Sequence, residues 1–230
     1  LAIRHSVLHL SSPRRDAAVA ATSKALVVAG GCTVLNSTSP YTCAQPSQNV
    51  DVFVNSNLTV LPLSSARAWS SACGVGDQIV IAGGGTTATK SSSADVVDTS
   101  TLKITAHVSA LSEARWGISC ATTNDHIYFG GGIGGPHSEY TKVVDVYSRV
   151  NRSWAVAPFA LSQVRESTGA IATNDTVMFV GGWNELDNPP NLDAIDTVNA
   201  ASGEVFVSHL HGPAYWTGGA SVSTRFPITA

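Results

Sequence analysis

An apolar run closed by two glycines recurs four times along this chain: Leu26-Val27-Val28-Ala29-Gly30-Gly31, Ile79-Val80-Ile81-Ala82-Gly83-Gly84, Ile127-Tyr128-Phe129-Gly130-Gly131 and Val177-Met178-Phe179-Val180-Gly181-Gly182. A run this short has the length of a strand buried on both faces. The glycines that end it admit positive φ or the close passage of another backbone. One such strand per repeat restricts the chain to a repeating sheet protein.

A second mark has the same period. A Leu-Ser or Leu-His step, followed closely by Arg in four of its five occurrences, stands at Leu10, Leu63, Leu111, Leu161 and Leu210, with spacings of 53, 48, 50 and 49 residues. Periods near 50 with several strands per unit predict a β-propeller. Each repeat offers four strands. The first is built of small residues (Ala17-Ala18-Val19-Ala20, Ser71-Ala72-Cys73, Ile118-Ser119-Cys120-Ala121, Gly169-Ala170-Ile171-Ala172), as a crowded position near an axis requires. The second carries the glycines. The third opens on an acid, Asp51, Asp95, Asp145 or Asp193, and the fourth includes Leu58-Thr59-Val60-Leu61, Leu102-Lys103-Ile104 and Trp154-Ala155-Val156. The expected blades are 10–62, 63–110, 111–160 and 161–209. Residues 1–9 form the last strand of a preceding blade, and 210–230 a partial one, with Gly218-Gly219-Ala220-Ser221-Val222 as its first strand. The chain opens at Leu1 without Met, as expected of a fragment or a processed product. Four complete blades flanked by partial ones either close as an imperfect five-blade ring or form an arc of a larger ring; exposed edges at both ends favour the arc.

The recurring Arg, the small-residue strand, the Gly-Gly strand and the closing Val-Tyr, Val-Val-Asp and Trp strands together resemble the kelch-repeat β-propeller family across essentially the whole chain. The resemblance implies an all-β, kelch-type propeller. It also implies that arginines near the first strands can grip acidic peptides, as in kelch domains that bind such ligands.

Composition narrows the function. At 43% hydrophobic and 13% charged residues, a compact fold is expected, and a net charge of −3 supplies no field for nucleic acid. No apolar run approaches the ~18 residues of a membrane span, so no membrane insertion is expected. Cys32 and Cys43 share one polar loop and could close a short disulfide ring. Cys73 and Cys120, each counted ten residues before its Gly-Gly and set among small residues, are expected to be unpaired, because matching positions on successive blades point the same way. The sequons at Asn36, Asn57, Asn151 and Asn174 fall in predicted turns, as glycosylation would require. The leading location is extracellular or in the secretory pathway, with the cytoplasm as the alternative.

In an antiparallel blade the connections alternate between two faces. One face then gathers the variable loops 33–48, 86–93, 133–141 and 183–191 together with Arg15, Arg67, Arg115 and Arg165. Tyr41, His137, Tyr140 and Trp183, with Glu139, Glu185 and Asp187, are the loop candidates for ligand binding. The four guanidinium groups have two possible partners: carbonyls or an Asp of the adjoining blade, or the carboxylates of an acidic peptide or glycan. No nucleophile elbow or zinc-ligand spacing is present, and no catalytic residue, metal or cofactor is expected. The expected function is non-catalytic binding of a protein or glycan. The alternative is the propeller domain of a secreted oxidase or carbohydrate-active enzyme whose catalytic residues lie partly outside this chain.

Overall fold

Ile79, Val80, Ile81 and Ala82 are all fully buried, although their side chains alternate between the two faces of one strand. Their strand belongs to a sheet covered on both sides, which is why the run is continuously apolar. The computed structural model describes residues 7–36, 39–187 and 190–214. Among them there is no helix, and the chain forms several antiparallel sheets.

The first sheet holds β1 (Ala18–Ala21) and β2 (Leu26–Ala29); a separate ribbon of β3 (Cys32–Asn36) and β4 (Ser39–Pro46) follows, and β5 (Asn49–Val54) and β6 (Asn57–Pro62) complete the sheet. The second comprises β7 (Ser71–Val75), β8 (Gln78–Ala82), β9 (Ser93–Asp98) and β10 (Lys103–Ser109). The third has β11 (Ser119–Thr122) and β12 (His126–Gly130), a short ribbon of β13 (Ile133–Gly134) and β14 (Glu139–Tyr140), then β15 (Val144–Ser148) and β16 (Ser153–Val156). The fourth is β17 (Gly169–Ala172), β18 (Thr176–Val180), β19 (Ala194–Asn199) and β20 (Val205–His209). Four sheets of four strands thus follow one another in sequence order.

They stack face to face. Val27, Val50 and Val52 of the first sheet meet Ile79, Ile81 and Leu63 of the second repeat. Val80, Ala82 and Val96 turn the other way, onto Ile127, Phe129 and Leu111. Tyr128 and Val144 then face Phe179, Val177 and Leu161. The repeat-marking leucines Leu63, Leu111 and Leu161 are therefore plugs between sheets, each at most 5% exposed, whereas Leu10, on the front of the first sheet, is 37% exposed. The first strands β1, β7, β11 and β17 lie side by side, and residues of all four line a cavity of about 560 Å³. Small side chains let those four strands approach one another.

The glycine pairs join one repeat to the next. At Gly83, with φ of 65°, an added Cβ would stand 2.7 Å from the Arg115 carbonyl oxygen of the following repeat; at Gly84, with φ of 86°, it would stand 2.5 Å from that of Ala68 in its own. Only glycine tolerates both the conformation and the approach. The second glycine's N–H donates to the next repeat throughout: Gly31 to Arg67 O (2.9 Å), Gly84 to Arg115 O (2.9 Å), Gly132 to Arg165 O (2.8 Å) and Gly182 to Ala214 O (2.8 Å).

This linkage corrects the sequence register in the third repeat, where the paired glycines are Gly131 and Gly132 rather than Gly130 and Gly131. Gly130 ends β12, packed against the Phe179 ring. A slip of one residue flips a side chain to the opposite face of its strand. Cys120 stands opposite Phe129, which faces the second sheet, while Cys73 stands opposite Val80, which faces the third. The two thiols therefore meet across the interface. The expectation that they are unpaired is overturned: Cys73 and Cys120 form a disulfide with Cα atoms 6.2 Å apart. Cys32 and Cys43 are also joined, and no free cysteine is present. Two disulfides favour an oxidising, extracellular or secretory location.

At the ends, residues 7–9 belong to no strand. The expected strands within 1–6 and 215–230 lie outside the described residues.

Candidate functional site

Each repeat begins with a buried lock built on a Ser-x-x-Arg spacing. The arginine reaches 14 residues ahead to a carbonyl of the second strand: Arg14 to Val28 O (3.1 Å), Arg67 to Ile81 O (3.3 Å), Arg115 to Phe129 O (3.2 Å) and Arg165 to Phe179 O (3.4 Å). Directly across the ladder from that carbonyl stands the Asp that completes the lock. The ion pairs are Arg14–Asp51 (3.0 Å), Arg67–Asp95 (2.5 Å), Arg115–Asp145 (2.5 Å) and Arg165–Asp196, with every side chain at most 2% exposed. The serine three residues before each Arg donates its backbone N–H to the same Asp, from Ser11, Ser64, Ser112 and Ser162. Burial pushes Arg115 and Arg165 below the ordinary arginine value, and Asp145 and Asp196 oppose that shift.

Three expectations are corrected by this geometry. Arg67, Arg115 and Arg165 are not free guanidinium groups at a mouth, because a buried charge this dry requires a carboxylate partner. Those partners lie on the arginine's own sheet rather than on an adjoining one. Finally, Arg14 rather than Arg15 occupies the lock in the first repeat, and Asp196 rather than Asp193 in the fourth; Asp193 instead meets His209 at 3.0 Å.

Each rigid arginine in turn fixes the backbone of the two residues after it. The residue after each Arg forms a bridge with the residue after the glycine pair: Arg15 with Cys32, Ala68 with Gly85, Trp116 with Ile133, and Glu166 with Trp183. The next residue has positive φ in every repeat, at Asp16, Trp69, Gly117 and Ser167. These four positions are strung together, since Trp69 N–H donates to Asp16 O (3.1 Å), Gly117 to Trp69 O (3.3 Å) and Ser167 to Gly117 O (2.9 Å). The side chains so placed surround a cavity of about 650 Å³, to which the loops add Thr42, Thr87 and Ile133.

Inside it, Trp69 and Trp116 meet edge to face at 5.4 Å. The Lys90 ammonium lies 5.6 Å from the Trp116 ring centre and is tethered by the Gly135 carbonyl (2.9 Å) and Ser138 Oγ (3.0 Å). Arg15 Nε donates to Asp16 at 2.7 Å. Glu166 differs from the other acids: burial first, then the charge of Glu185, pushes its carboxyl up to about 7. Gly117 makes room for that carboxyl, since a Cβ there would strike Oε2.

The loops on this face are linked in series. Thr87 Oγ1 donates to Cys43 O at 2.6 Å, Lys90 reaches Gly135, and the Tyr140 phenol lies beside the Glu185 backbone and the Trp183 side chain. Of the loop candidates, Tyr140 and Trp183 come together with Glu185 beside the cavity, and Glu139 and Tyr140 form β14. His137 is exposed in the turn before it, Asp187 is exposed, and Tyr41 lies in β4. The sequence candidates missed Trp69, Trp116 and Glu166, whose signal is their position one or two residues after the repeat arginine. Asn57, Asn151 and Asn174 are exposed, and Asn36 ends β3. Among the described residues, no group of three His, Cys, Asp or Glu could hold a metal ion. No protein-family model matches the chain, and no curated protein matches it in sequence.

Proposed function

We propose that this chain is a non-catalytic binding module of kelch-type β-propeller architecture, and that a protein partner or a glycan docks at the cavity around Trp69, Trp116 and Glu166. The observation that carries this is the origin of the lining: equivalent positions, one or two residues after the buried arginine, contribute from all four repeats to one concave surface that sets the Trp69 and Trp116 rings among polar and charged side chains. Val19 and Ile171, at 58% and 44% exposed, stand on the outer faces of the first and fourth sheets. The Val19 counterpart in the second sheet is the interface residue Ala72, which supports reading the sheets as propeller blades. The disulfides and the exposed sequons support a secreted glycoprotein. An acidic peptide gripped by Arg67, Arg115 and Arg165 is not part of the proposal, because those groups are consumed by their aspartates.

The test is a binding screen of peptides and oligosaccharides followed by NMR of the tryptophan indole N–H groups. Ligands that act here shift the Trp69 and Trp116 signals and lose affinity in Trp69→Leu and Trp116→Leu. Hits that shift only Trp154, on the outer strand β16, would place binding elsewhere and refute the site.

A further inference from the structure

We propose that the cavity recognises an organic cation, an ammonium or guanidinium group held between the Glu166 carboxyl and the Trp69 and Trp116 rings and carried by a free amine or by a lysine or arginine of a protein partner. It rests on the cavity being the binding site and adds the chemistry of the group that enters it.

Three independent features converge on a cation. Glu166 is desolvated, is repelled by Glu185, and has neither a cation nor a hydrogen-bond donor among the described residues to offset either effect. A positive group beside it would neutralise the repulsion and supply the missing charge-assisted bond. Next, the Trp116 ring already draws the Lys90 ammonium over it, which shows that the aromatic wall attracts positive charge, and Trp69 adds a second such wall. Lys90 itself is anchored to Gly135 and Ser138 rather than to Glu166. Lastly, Arg15 is paired with Asp16 at 2.7 Å, which leaves Glu166 and Glu185 facing the one ammonium of Lys90, so the balance of charge around the cavity is negative. An anionic ligand would meet both carboxylates. A metal ion would find no group of three suitable ligands among the described residues, which makes the cation an organic one.

The test titrates butylammonium, neutral butanol as its isostere, and an N-acetylated, C-amidated alanine-based pentapeptide with a central lysine into the whole chain at pH 8.5, following the indole signals. Butylammonium is expected to shift Trp69 and Trp116 saturably while butanol does not, and Glu166→Gln is expected to weaken binding by about tenfold or more. Tighter binding of the peptide than of butylammonium identifies a side chain as the source, and equal binding identifies a free amine. If butanol binds as well as butylammonium, or Glu166→Gln binds unchanged, the cation assignment is overturned. If instead a neutral oligosaccharide shifts Trp69 and Trp116 and butylammonium does not, the cavity stands as the binding site and the cation assignment alone falls. If no probe of any class shifts these signals, both fall.

Discussion

Replacing Glu166 by Gln should change the pH dependence of stability in a defined direction. The folded protein holds the Glu166 proton up to about 7, against an ordinary value of 4.5. Between those values the unfolded chain has already released its proton while the folded chain keeps it, so stability falls as pH rises through that window and levels off above it. The full difference corresponds to about 3 kcal/mol at ~1.4 kcal/mol per pH unit; because the side chain is only partly buried, about 1–3 kcal/mol is expected. Gln carries no such proton. The stability of the parent minus that of Glu166→Gln should therefore drop by this amount between pH 4.5 and pH 8, measured by urea unfolding at several pH values. Taking the difference removes titrations common to both proteins. Glu185→Gln should narrow the window without abolishing it, since burial is the larger cause and Glu185 the smaller. Parallel stability curves for the parent and Glu166→Gln would refute the desolvation of this carboxyl, and a difference that rises across the window would refute its direction.

Removing one member of a lock should be far worse than removing both. Arg115→Ala or Asp145→Ala strands a buried charge and should cost about 3–5 kcal/mol, whereas Arg115→Met with Asp145→Leu should cost less than either, as read by chemical denaturation; additive losses would contradict the lock. Gly83→Ala forces a positive φ and a 2.7 Å approach to the Arg115 carbonyl and should destabilise by about 1–3 kcal/mol, while Gly212→Ala, with nothing within 4 Å, should be nearly silent in the same measurement.

The sheet content and the repeat were legible because both follow from periodicity, which survives an error of one residue. Facing and pairing do not survive it. Counting from Gly130 rather than Gly131 gave Cys73 and Cys120 matching positions, and the side-chain alternation of a strand then hid their bridge. A one-residue slip likewise groups Arg15 with the repeat arginines in place of Arg14, although Arg14 to Arg67 repeats the 53-residue spacing of Leu10 to Leu63. In the fourth repeat Asp193 is the first acid near the third strand, whereas the lock selects by position across the ladder from Phe179 and so takes Asp196. The candidate site shared this fate. Trp69, Trp116 and Glu166 carry no motif of their own, and their grouping depends on a register that only the hydrogen-bond ladder fixes.

That dependence separates scaffold from site within each repeat. The arginine, its aspartate, the serine and the glycine pair satisfy one another's charges and backbone groups, so their identities are dictated by the fold and recur. The two residues after the arginine have their backbones fixed by the bridge and by the chain of N–H to carbonyl bonds from Asp16 to Ser167, and, apart from buried Ala68 and from Gly117, their side chains line the cavity. Across the repeats they read Arg15-Asp16, Ala68-Trp69, Trp116-Gly117 and Glu166-Ser167. A position whose backbone is rigid and whose side chain faces a cavity rather than the core can carry recognition at little cost in stability. Two tryptophans and one desolvated acid occupy such positions around one cavity, while the repeat arginines, whose chemistry suits an acidic ligand, are the ones the fold itself consumes.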